Sequence, residues 1–160
     1  MAYSCSFTGH RQIKESHKPE ISGMLAYAIE CAYEQGCRVF YAGGALGFDT
    51  VAAKEVIKFR QTHPGVRLIL CLPCQNQDEG WSEQQRSIYK HIASMADEII
   101  YAKDHYTDGC MRERNFLLAN KCDILIAYCT RKNSGAYQTI RMAEAMGKDV
   151  VNIYDKLDSF

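Results

Sequence analysis

The chain alternates along its length between short apolar runs that stop at turn-forming residues and longer stretches with apolar residues every three or four positions. The short runs are Tyr3 to Phe7, Val39 to Ala42, Val66 to Leu72, Glu98 to Ala102, Asp123 to Cys129 and Asp149 to Tyr154. The first helical pattern opens at Pro19, runs through Ile21, Leu25, Ala28, Ile29 and Ala32, and closes at Gly36. Four more follow: Phe48 to Thr62, Trp81 to Ala96, Gly109 to Asn120, and from the polar turn Thr130 to Ser134 as far as Met146. Proline suits a first helical turn and glycine the residue after a last one, so punctuation and periodicity agree. Strict strand–helix alternation requires crossover connections, which make strands parallel and put helices over both faces. The expected fold is α/β: a Rossmann-like, doubly wound, mostly parallel six-stranded sheet. No linker or repeat divides the chain, so residues 1–160 are expected to form one domain.

A chain of 160 residues buries roughly 68–70% of its unfolded surface, enough for a core without metals or disulfide staples. Eight cysteines would suggest a disulfide framework in a secreted protein. Met1 to Phe7 has neither a basic n-region nor a long apolar h-region, however, and no apolar run approaches the roughly 18–20 residues of a membrane span. Several cysteines fall inside strand or helix patterns, where a thiol acts as a small hydrophobe. They are expected to be reduced, in a cytoplasmic protein. Cys71-Leu72-Pro73-Cys74 is a C-x-x-C without a second ligand pair for zinc, and a polar loop follows it rather than the helix start of a redox dithiol. Neither a metal nor a cofactor is expected. The 19 basic residues balance the 19 acidic ones, whereas nucleic-acid-binding domains generally carry a basic excess. A small ligand is therefore the expected partner, rather than nucleic acid or a membrane.

In doubly wound sheets ligands bind beyond the carboxyl ends of the strands. The first run ends in Thr8-Gly9-His10-Arg11, where glycine permits a tight turn and arginine can fork onto a phosphate or carboxylate. The second ends in Gly43-Gly44-Ala45-Leu46-Gly47-Phe48-Asp49, where the backbone can approach a ligand and a helix start presents unpaired amides. Asp49 either complements that helix dipole or touches the ligand, for example at a ribose hydroxyl. Beyond Pro73, Trp81 either packs its helix or stacks on a base. Arg112, Arg114 and Asn115 open the fourth helix. The two arginines, two residues apart, point to different faces, so at most one addresses a given ligand group. Ser134, Gly135 and Thr139 open the fifth helix, Ser134 serving as N-cap or phosphate ligand. A helix terminus gives an exposed charge about 0.3–1 kcal/mol, and up to about 2 when partly buried. Micromolar binding needs about 8 kcal/mol, so arginines such as Arg11 and Arg112, further hydrogen bonds and a stacked base must contribute.

In their order and spacing, Phe7 to Arg11, Gly43 to Asp49, Leu72-Pro73-Cys74, Trp81, Tyr106, Met111 to Asn115 and Ser134 to Thr139 resemble the YpsA-type (DUF1273) branch of the SLOG superfamily. The resemblance implies a Rossmann-like fold, a nucleotide or nucleotide-derived ligand and homodimers or larger assemblies. Some members of the superfamily are phosphoribohydrolases, with a catalytic arginine in Met-x-x-Arg-Lys and a catalytic glutamate in Pro-Gly-Gly-x-Gly-Thr-x-x-Glu. Arg114 matches the arginine, but Met142 stands at the glutamate and cannot move a proton. Glu144, two residues on, lies roughly 200° round the helix. The leading expectation is thus a non-catalytic module that senses or sequesters an ADP-ribose, NAD-derived or cyclic-nucleotide-like molecule. The alternatives are a phosphoribohydrolase or N-glycosidase using Asp49 or Glu113, and single-stranded DNA binding.

Overall fold

The structure, a computed structural model, describes residues 3–159. Its strands are β1 (Ser4–Gly9), β2 (Val39–Ala42), β3 (Arg67–Leu72), β4 (Glu98–Tyr101), β5 (Ile124–Tyr128) and β6 (Asp149–Asn152). All pairings are parallel, in the order β4-β3-β2-β1-β5-β6. The helices are α1 (Lys18–Glu34), α2 (Phe48–Thr62), α3 (Glu83–Met95), α4 (Cys110–Lys121), α5 (Gly135–Ala145) and the short α6 (Tyr154–Leu157). The chain builds outward from β1 to β4, then crosses back to lay β5 along the other side of β1, with Cys5 level with Ile124. The connections leaving β1 and β5 diverge to opposite faces, which opens a crevice between their carboxyl ends.

Side-chain alternation divides the core in two. Ile124, Ile126 and Tyr128 enter the larger cluster with Phe7, Phe40, Leu70, residues of α1 and α2, and Ile92 of α3. Leu125, Ala127 and Cys129 enter the smaller one with Ala119 of α4 and Ala136, Ile140 and Ala143 of α5. A strand covered on both faces reads as an unbroken apolar run, which is why β5 is the most apolar segment of the chain.

The last run is shorter than its composition suggests. β6 stops at Asn152, whose Oδ1 accepts from the Cys129 and Tyr154 amides while its Nδ2 donates to the Cys129 carbonyl. That carboxamide turns the chain, so Tyr154 starts α6 instead of ending a strand. Likewise α3 begins after Ser82, which forms a reciprocal capping box with Gln85 and leaves Trp81 outside the helix. The polar stretch Gln12 to Lys18 holds a 3-10 turn (Glu15–His17) that carries His17 into the interior. There the Lys14 amide donates to the Tyr128 hydroxyl, whose oxygen lies 2.7 Å from His17 Nδ1, and His17 Nε2 meets Asp158. None of the eight cysteines is in a disulfide, and seven are buried. Among the described residues no group of His, Cys, Asp and Glu could hold a metal, and no helix is long and apolar enough to cross a membrane.

Candidate functional site

A cleft of about 450 Å³ lies where the connections leaving β1 and β5 diverge. Thr8, Gly9, His10 and Arg11 form its floor and one rim, Ala45 and Asp49 one wall, Arg114 and Asn115 another, and Ser134, Gly135 and Ala136 the far end. Ten of the residues singled out in the sequence thus come together.

The far end is the amino terminus of α5. Ser134 is its N-cap: its hydroxyl oxygen accepts from the Tyr137 amide and its O–H donates to the Arg131 carbonyl. The cap leaves the amides of Gly135 and Ala136, the first two of the helix, without intrahelical acceptors. Thr139 does not reach the cleft; it is buried and donates to the Gly135 carbonyl, fixing that first turn.

Arg114 is only 7% exposed. Its Nη1 donates to the Gly43 carbonyl and its Nε to Asn115 Oδ1 at 2.9 Å, while Nη2 finds only the Met111 sulfur at 3.9 Å. Asn115 Nδ2 in turn contacts the Gly135 carbonyl and Gln138 Oε1. A continuous polar chain therefore links the guanidinium to the start of α5. Arg112 is exposed and outside the cleft, so Arg114 is the arginine that addresses it. Arg11 and Arg131 stand exposed at the rim, and among the described residues neither is in an ion pair.

Asp49 faces this cationic wall. It is 4% exposed; its Oδ2 accepts weakly from the Ala45 amide at 3.3 Å, and its Oδ1 has no hydrogen-bond partner. Burial pushes its carboxyl up to about 6, against the pull of Arg114, the Ala45 amide and Arg11. A Cβ on Gly43 would sit 2.7 Å from Asp49 Oδ2 and 2.8 Å from Arg114 Nη1, so the missing side chain is what lets carboxylate and guanidinium share this corner. They are not in direct ion-pair contact.

The glycine turn after β2 works differently from its sequence reading. The Phe48 amide at the start of α2 donates to the His10 carbonyl, so this helix end is partly spent on the protein itself. Gly47, with φ +80°, lies so close to the Arg11 carbonyl that a side chain would overlap it, and Gly44 packs against Leu72. His10 is also structural: its Nε2 accepts from the amides of Thr130 and Arg131, pinning the β5–α5 loop to β1. Burial, reinforced by Arg131, lowers its pKa and favours the neutral ring that this acceptor role needs. Pro73 and Trp81 do not line the cleft; Pro73 is buried, its carbonyl accepting from Lys103. Of the alternative carboxylates, Glu113 lies outside and pairs with Lys103. Met142 packs beside the smaller core cluster, and Glu144 is an exposed partner of Arg141.

Sequence reasoning missed Met111, Leu118, Arg131, Asn133 and Ala136. Arg131 and Asn133 had a signal, as polar residues in the turn directly after β5. Met111 and Ala136 stood inside the motifs that carry the resemblance, whereas Leu118 gave no signal, because its place depends on the rotation of α4 about its axis.

Two solved structures share the fold. DNA processing protein A of Helicobacter pylori, described for its single-stranded DNA binding mode, aligns with TM-score 0.66 and 21% identity over 92% of this chain and 63% of its own. Its counterpart from Streptococcus pneumoniae aligns with TM-score 0.67 and 18% identity over 98% of this chain and 53% of its own. The chain therefore spans less than two thirds of either protein. The expectation that nucleic acid is not a partner does not stand against this likeness. Zero net charge is an average over the surface, and here it conceals three arginines around one cleft. In sequence, the chain is 26% identical over 133 residues to the SPbeta prophage-derived protein YoqJ of Bacillus subtilis, covering 76% of this chain and 78% of that one. It is 30% identical over 129 residues to a UPF0398 protein of Halalkalibacterium halodurans, covering 79% of this chain and 64% of the relative. The YpsA model, described as the YspA SLOG family, matches residues 7–155, and the chain belongs to that family.

Proposed function

We propose that the cleft binds the phosphate of a nucleotide, held between the first amides of α5 and the guanidinium of Arg114, with Arg11 and Arg131 closing the rim. The observation that carries this reading is the chain from Arg114 through Asn115 to Gly135, which holds a buried cation and a helix amino terminus on the same cleft. A buried cation without a carboxylate in contact is costly, and an incoming phosphate relieves that cost while accepting charge-assisted hydrogen bonds. The phosphate can belong to a free nucleotide derivative or to one unit of a single strand; the likeness to DNA processing protein A supports the second form.

Calorimetry with AMP, ADP-ribose and a thymidine oligonucleotide, at low and moderate salt, tests the proposal. Hydrogen bonds to charged groups contribute about 1.5–3 kcal/mol. Arg114→Gln should therefore weaken binding roughly 10- to 100-fold, and Arg11→Ala, which removes a rim side chain with no internal hydrogen bond or ion pair among the described residues, should weaken it less. Strong salt dependence for the oligonucleotide alone would identify the strand as the ligand. Folded protein that binds none of the three at millimolar concentration refutes the proposal.

A further inference from the structure

A second cleft, of about 560 Å³, lies across the start of α2 from the first, and Arg11 lines both. Its apolar walls are Leu46, Val51 and Ile88, and its aromatic wall is Trp81 with Tyr89. These rings meet edge to face, with centroids 5.2 Å apart and planes at 70°, so at least one keeps both faces uncovered by its partner. The other polar side chains around it are neutral: Gln12, Gln85, whose Oε1 accepts from the Ser82 amide, Thr50, whose hydroxyl donates to the Ala45 carbonyl, and the Tyr89 phenol and Trp81 indole themselves. Among the described residues Arg11 is the only charged side chain in the lining, and its guanidinium makes no hydrogen bond. The size falls within that of small-molecule sites, about 300–1,000 Å³.

Such a lining suits a flat, uncharged, hydrogen-bonding ring. Aromatic faces stack on any base, and neutral amides can reach its edge without the desolvation cost of a charge. An apolar peptide would leave Gln12 and Gln85 unmatched, and an anion would find one cation only. Arg11 lines both clefts, so the two adjoin at its side chain.

We infer that the Trp81–Tyr89 cleft is a nucleobase subsite, so that a ligand whose phosphate sits at Arg114 lays its base against Trp81. This rests on the phosphate-binding reading above and extends it from an anion site to a site for a complete nucleotide. Trp81 also becomes more than the helix-packing residue that its sequence context suggests.

Trp81 is the only tryptophan in the chain, so its emission reports this cleft alone. The intact protein is titrated with AMP and with ribose 5-phosphate, which has the same phosphate and sugar but no base, following heat and tryptophan fluorescence. Stacking predicts that AMP binds at least about tenfold more tightly than ribose 5-phosphate and that only AMP quenches the emission. Trp81→Leu should bring AMP down to the affinity of ribose 5-phosphate and leave the latter unchanged, whereas Trp81→Phe should recover most of the difference. Equal affinity for the two ligands, or equal weakening of both by Trp81→Leu, overturns the subsite and leaves the phosphate site standing. Binding of neither overturns both. Should Trp81→Leu fail to fold, the wild-type quench and the Trp81→Phe affinities decide.

Discussion

Replacing Asp49 by asparagine should stabilise the unliganded protein at neutral pH and leave it almost unchanged in acid. The carboxyl is buried, has one oxygen without a partner, and is pushed from its ordinary 3.8 up to about 6. The folded state thus holds this proton more tightly than the unfolded chain does. The sign follows: stability falls as pH rises from about 3.8 through about 6, then levels off. A gap of about two pH units corresponds to ~3 kcal/mol at 1.36 kcal/mol per unit. Asparagine keeps the volume, can still accept from the Ala45 amide, and does not ionise. Asp49→Asn should therefore be more stable by about 1–3 kcal/mol at pH 7 and by less than ~1 kcal/mol at pH 4. Urea unfolding of both proteins at pH 7, 6, 5 and 4 measures this directly. A variant that is less stable at pH 7, or whose advantage is the same at pH 4, refutes the account of Asp49 as a desolvated carboxylate. It would imply instead that Arg114 compensates the charge fully.

Gly47→Ala combines a left-handed φ of +80° with overlap of the Arg11 carbonyl, whereas Gly80→Ala places its methyl in open space at φ +87°. In urea denaturation the first should lose well over ~2 kcal/mol and the second about 1 kcal/mol, the cost of the backbone conformation alone; equal losses would mean that the Gly47 turn is not sterically closed. Tyr128→Phe deprives the Lys14 amide and His17 Nδ1 of their shared partner, and thermal or chemical unfolding should show a loss of about 1–3 kcal/mol; an unchanged melt would show that water replaces the hydroxyl.

The alternation of apolar runs with helical patterns was enough to read six strands and a parallel, two-sided sheet, because β3 and β5 are buried on both faces and read as apolar runs, while β1 buries Ser6 by donating its hydroxyl to the Leu118 carbonyl. Strand order was not readable in the same way: no residue in β5 declares that it returns beside β1. The turn residues of the site were visible because tight turns and helix starts use few amino-acid types. Their division of labour was hidden. Whether Arg112 or Arg114 faces the cleft depends on how α4 rolls against β1, and whether a glycine serves a ligand or a neighbouring carbonyl depends on what packs there. His17 was equally opaque, since its partners Tyr128 and Asp158 lie 111 and 141 positions further along. Net charge misled because a global sum carries no information about where three arginines meet.

The reversal of strand order has a mechanical consequence. One wall of the cleft belongs to the half of the chain that holds α2, and the other to α4, the crossover that carries the chain back from β4 to β5, and to α5, which follows β5. The cleft is therefore a seam between two halves rather than a hollow within one. Whatever occupies it rivets those halves together, and occupancy should slow amide exchange on both sides of the seam, including helices that never touch the guest.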